Sequence, residues 1–79
     1  MAYYKDFVSP EFTSHIVYDS RDNPIYVCEA QPGTPKSATL WRIKKITYDA
    51  NDNPIDIQWA NGSRLFLYEC DEYLSYTYS

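Results

Sequence analysis

The chain has 79 residues, nine of them tyrosine, a formal net charge of -4 and a single histidine, His15. That length makes one domain, and the acidic balance sets a phosphate backbone aside as partner. One histidine and two cysteines, Cys28 and Cys70, are too few for a four-ligand Cys/His zinc site, and no stretch nears the ~20 apolar residues of a membrane span.

So short a chain buries about 60–65% of its unfolded surface, and its core supplies about 3–5 kcal/mol. Small domains of this kind lean on disulfides, a metal or a partner. Cys28 and Cys70 read as free thiols in a reducing compartment, with a bond between them as the alternative that spacing does not decide. Partner contacts are then the expected source of extra stability. Aromatic residues make up 18% of the chain, which suits both a pleated surface with one wet side and an interface.

Residues 1–14, MAYYKDFVSPEFTS, show no periodicity. Pro10 opposes a helix and pushes Ser9 toward extended geometry. Residues 1–15 also lack the apolar run of a signal peptide. This stretch is expected to be an extended N-terminal arm whose Tyr3, Tyr4, Phe7 and Phe12 lie along the domain itself or on a neighbour.

Residues 15–79 are expected to form one small β domain. HIVYD and IYVCEA read as short strands around a turn. QPGTPKSA, with two prolines and a glycine, is a loop. TLWRIKKITYD is the longest strand candidate. Strict alternation would put Trp41 and Ile43 on one face and Ile46 and Tyr48 on the other, so a β-bulge at Lys44-Lys45 is expected to bring all four together. IDIQWA alternates apolar Ile55, Ile57 and Trp59 with Asp56 and Gln58. Asn61-Gly62 signals a two-residue type I′ turn, SRLFLYEC is expected to pair back, and YLSYTYS to close the chain as an edge-like strand. No segment carries a 3.6-residue apolar period. The fold class predicted is therefore all-β, a small antiparallel meander of five to six strands rolled into a barrel-like sheet.

YDSRDNPI from Tyr18 recurs as YDANDNPI from Tyr48. Each copy reads as a hairpin turn between strands. Asp19 and Asp49 open the turn and accept backbone N–H bonds two residues on. Pro24 and Pro54 start the next strand, where a missing N–H costs least, and force Asn23 and Asn53 toward extended angles. The positive φ of each turn is therefore expected at Asp22 and Asp52. A calcium loop built on Asp19, Asp22 and Asn23, or on Asp49, Asp52 and Asn53, is the competing reading, but the bidentate glutamate that calcium loops use is missing.

Together with W-R-I-K-K-I-T-Y-D, I-x-W-A-N-G and a closing S-Y-T-Y-S, the repeated phrase resembles small virion proteins of tailed bacteriophages. In those, a Y-D-x-x-G-N-P turn recurs around a P-G-T loop and a W-R-I-K-K-I-T-Y-D strand. The resemblance spans residues 16–79. Asp22 and Asp52 stand where glycine is common, and residues 59–62 read W-A-N-G where W-A-D-G is usual; both departures keep the turn chemistry. Y-D-x-x-G-N turns also occur in bacterial repeat proteins of the Rhs type. The resemblance implies a structural component of a head, connector or tail, without enzymatic activity, made in the host cytoplasm and residing in the virion.

Catalytic chemistry has little to stand on. A lone His15 builds no triad, the neighbouring acids Glu69, Asp71 and Glu72 read as a solvated charge run, and no phosphate-binding glycine loop is present. No cofactor is expected. The expected contact residues are Tyr3, Tyr4, Phe7 and Phe12 of the arm and Tyr73, Tyr76 and Tyr78 of the last strand, meeting other virion proteins and copies of this chain, with neither nucleic acid nor membrane as partner. The alternative function is a small carbohydrate-binding module that stacks sugars on the same aromatic rings.

Overall fold

The structure, a computed structural model, describes residues 11–79. Tyr3, Tyr4 and Phe7, three of the expected contact residues, and most of the expected arm lie outside the described residues. Phe12 is described, and residues 13 and 14 already belong to the first strand.

Four strands, β1 (Thr13–Tyr18), β2 (Pro24–Ala30), β3 (Arg42–Tyr48) and β4 (Pro54–Trp59), form one antiparallel sheet in chain order. The β1–β2 and β3–β4 connections are the repeated turns; β2 and β3 are joined by the Pro/Gly loop of residues 31–41. The chain is thus all-β, but the sheet stays open, with β1 and β4 as its two edges. The expected fifth and sixth strands are replaced by isolated bridges, Trp41 to Tyr68 and Ala60 to Tyr78, and by a 3₁₀ turn at Cys70–Glu72. Four strands are too few to close a barrel, so the C-terminal segment covers the sheet instead of completing it.

The Asn61-Gly62 turn does form. Both residues take positive φ, 50° and 69°, and Ser63 N–H donates to Ala60 C=O at 3.0 Å. A Cβ on Gly62 would stand 2.9 Å from Ser79 Oγ, a side-chain atom that can turn aside, so it is the positive φ that calls for glycine here. SRLFLYEC does not pair back, because its place beside β4 is already taken. Trp59 exchanges both backbone bonds with Ser79, and Asn61 N–H donates to Thr77 C=O.

The bulge expected at Lys44-Lys45 is absent. Val27 faces Lys44 and Tyr26 faces Lys45, and on the other side Lys44 faces Trp59 and Lys45 faces Gln58, all in regular register. The irregularities fall beside the turns: Tyr18 faces Pro24 while Val17 faces Tyr26, and Tyr48 faces Pro54 while Thr47 faces Asp56. Ile25 and Ile55 are the extra residues, next to prolines that have no N–H to give the ladder.

With β3 regular, Ile43 and Ile46 project to opposite faces, and the sheet is buried on both. On one face Cys28, Ala30, Trp41, Ile43, Ala60 and Cys70 form a core against which Tyr68, Tyr73, Tyr76 and Tyr78 pack. On the other, Val27 and Ile46 pack with Ile16 and Tyr48. There Glu29, fully buried, is paired with Arg42 at 2.9 Å across β2 and β3. The Arg42 guanidinium also lies 5.1 Å from the Phe12 ring and 4.9 Å from the Phe66 ring. Planar arginine suits this mixed site, offering a charged edge to the carboxylate and flat faces to the rings.

Candidate functional site

In a meander the first and third connections emerge at the same end of the sheet, so the two copies of the repeated phrase meet in space. Each is built alike. Asp19 Oδ1 accepts the backbone N–H groups of Arg21 at 2.9 Å and Asn23 at 3.0 Å; Asp49 Oδ1 accepts those of Asn51 at 2.9 Å and Asn53 at 3.0 Å. Asp22 N–H closes on Asp19 C=O, and Asp52 N–H on Asp49 C=O, both at 3.1 Å. The left-handed residue is Asp22 in one turn and Asp52 in the other, each with φ of 63°. Backbone N–H groups, that of Asn23 for Asp19 and that of Asn53 for Asp49 foremost, hold both carboxyls below the usual carboxylate range.

The copies differ in what they do to each other. Asp52 receives Arg21 Nη2 at 3.0 Å and Asn23 Nδ2 at 3.0 Å, and Arg21 Nη1 reaches Ala50 C=O at 3.5 Å. In the second copy the amide of Asn53 turns back instead to Asp49 Oδ2 at 3.3 Å. Between the turns lies an open depression of about 380 Å³, lined among others by Arg21, Asn23, Lys45, Thr47 and Tyr48. The Tyr48 hydroxyl donates to Pro24 C=O at 2.7 Å, and burial, then the nearby Asp19 carboxylate, push its pKa up.

This rim is committed to structure. Asp19 Oδ1 and Asp49 Oδ1 are engaged by main-chain donors, and Asp52 by Arg21 and Asn23. Among the described residues no three His, Cys, Asp or Glu side chains converge to hold a metal ion. His15 sits in β1 opposite Cys28, where burial, foremost, lowers its pKa.

The tyrosines expected at a contact surface lie against the core. The Tyr73 and Tyr78 rings pack on Tyr26, with centroids 4.9 and 5.4 Å away. Tyr78 OH donates to Tyr73 C=O at 2.6 Å, and Glu69 N–H donates to Tyr76 OH at 2.9 Å. Burial drives the Tyr78 phenol well above its usual range. Phe12 is likewise engaged, its ring 5.3 Å from that of Phe66.

Among the described residues β1 and β4 are both edges of the sheet, and the edge that carries exposed isoleucines is that of β4. Trp59 turns both its backbone groups outward to Ser79; two residues earlier in the strand, Ile57 faces the same way. Among the described residues the pairing on that side stops at Trp59. Ile55 and Ile57 are 56% and 48% exposed beside Pro54, where a strand in the core would bury them. Their alternation was visible in the sequence; that it marks an outward-facing edge was not.

The chain matches no protein-family model, no curated protein and no solved structure. Among the described residues, no helix is long and apolar enough to cross a membrane.

Proposed function

We propose that the protein is a structural accessory component of a tailed-phage virion and that it works by contact with other subunits through the open edge of β4. The observation that carries the contact surface is that edge: outward backbone groups at Ile57 beside two exposed isoleucines, on a sheet otherwise packed on both faces. Such an edge recruits an extended segment of another chain by main-chain pairing. Antiparallel pairing of the edge with itself, centred on Asp56, would set two carboxylates opposite one another. The partner strand therefore carries a neutral or basic residue there and apolar residues on either side. A contact of roughly 800 Å² per partner is enough for a stable complex. The virion class rests on the resemblance of residues 16–79 to phage structural proteins. The alternative, a sugar-stacking module, would have to use Tyr73, Tyr76 and Tyr78, whose rings are partly buried against the core.

The test is incorporation. Tagged chain expressed during phage growth is expected in purified particles, cross-linked near residues 54–58 to another virion protein. Ile57→Lys is expected to stay folded, because the side chain is half-exposed, and to be lost from particles. A folded Ile57→Lys chain incorporated at the normal level would overturn the edge as contact surface. Absence of the parent chain from particles, or saturable binding on a glycan array, would overturn the virion reading.

A further inference from the structure

Cys28 lies in the middle of β2, opposite His15 on one side and Ile43 on the other. Cys70 lies at the start of the 3₁₀ turn in the segment that crosses that face. The two share one core cluster, 0% and 1% exposed, and each thiol perturbs the titration of the other. Both are free thiols.

We propose that Cys28 and Cys70 form a peroxide-responsive dithiol that closes into a disulfide and fastens the C-terminal segment to the sheet. Because Cys70 sits in the segment outside the ladder beside exposed Asp71 and Glu72, whereas Cys28 is held in the middle of β2, Cys70 is the attacking sulfur. Its thiolate attacks one oxygen of hydrogen peroxide, the O–O bond breaks, and hydroxide leaves, taking up a proton to become water. Cys70 is left as a sulfenic acid. Cys28 Sγ then attacks the Cys70 sulfur, the S–O bond breaks, and the departing hydroxide takes the Cys28 proton as a second water. Two thiols are oxidised and one peroxide is reduced.

Access follows from where Cys70 sits. The segment that carries it is not part of the four-strand ladder. Its backbone is attached through the two 2.9 Å bonds between Trp41 and Tyr68, the 3.2 Å bond from Asp71 N–H to Lys36 C=O, and the bonds of its last residues to Trp59 and Asn61, and its rings pack on the sheet through Tyr73 and Tyr78 against Tyr26. Asp71 and Glu72, its next neighbours, are exposed. Local opening of such a segment takes less than global unfolding, and peroxide is small enough to use it. The bond formed would join the sheet to the segment that covers it, removing that opening.

The experiment treats the reduced, full-length chain with stoichiometric hydrogen peroxide and reads the intact mass, the proteolytic map and the melting temperature. Expected are loss of two hydrogens, a linked peptide pair containing Cys28 and Cys70, a Tm higher by on the order of 10 °C, and full reversal by dithiothreitol. In Cys28→Ser, which lacks the resolving thiol, dimedone is expected to label Cys70. The parent-chain measurement stands even if that variant does not fold. Oxygen addition without the linked peptide, intermolecular dimers, or a folded chain whose thiols do not react would each overturn the proposal.

Discussion

Asp22 and Asp52 hold the same backbone angle in two copies of one turn, which makes them an internal control. Replacing either with glycine relieves the left-handed strain, about 1 kcal/mol for a non-glycine residue, and gives back about half of that through the freer unfolded chain. Asp22 is exposed, so Asp22→Gly is expected to stabilise by about 0.5 kcal/mol. Asp52→Gly gains the same relief but strips two donors of their acceptor. Arg21–Asp52 is a surface pair, with side chains 57% and 38% exposed, contributing about 0–1 kcal/mol. The Asn23 amide belongs to a buried residue, and losing its partner costs about 1 kcal/mol or more. Asp52→Gly is therefore expected to be net destabilising by about 1 kcal/mol. The separation between the two variants, about 1.5 kcal/mol, corresponds to roughly 6–12 °C in Tm for a chain of this size. Urea and thermal unfolding followed by far-UV circular dichroism measure it directly. Two glycine variants that shift stability by the same amount and sign would show that the bridge between the turns contributes nothing.

The acid limb of stability should trace the turns. The folded pKa values of Asp19 and Asp49 lie below their unfolded ones, so their contribution is complete above about pH 4 and is lost as pH falls through the lowered folded values; an Asp19→Asn, Asp49→Asn double variant, titrated by denaturant midpoint, should show a flatter acid limb. Ile43→Ala, at a fully buried position, is expected to cost about 2–5 kcal/mol and leave little folded protein, whereas Ile57→Ala should stay within about 0.5 kcal/mol of the parent; equal losses at both would contradict an open β4 edge. Tyr78→Phe removes the hydroxyl that caps Tyr73 C=O and should cost about 1 kcal/mol, with hydrogen exchange rising in residues 73–79 before the strands are affected.

The local chemistry of this protein was legible in one dimension. The duplicated Asp–Asn–Pro phrase specifies its own turn, because carboxylate acceptor, left-handed aspartate and donorless proline each act within five residues. Asn61-Gly62 specifies its reversal for the same reason. The all-β character followed from short alternating runs. What only the tertiary structure decided was who lies beside whom. Asn61-Gly62 turns the chain, yet residues 77–79 take the edge that SRLFLYEC was expected to fill, since both could pair there and only whole-chain packing chooses. A bulge at Lys44-Lys45 was inferred on the assumption that a small sheet is buried on one face. The segment that covers the Cys28–Ile43 face removes that assumption, and Ile43 and Ile46 each find a core of their own. Tyr73, Tyr76 and Tyr78 read as surface in sequence because a phenol suits either environment; in the fold they are partly buried against the Cys28–Ile43 core, which no local pattern announces. The bridge of Arg21 and Asn23 to Asp52 and the meeting of Cys28 with Cys70 join residues far apart along the chain, and such contacts have no local signature because they exist only once the sheet has formed.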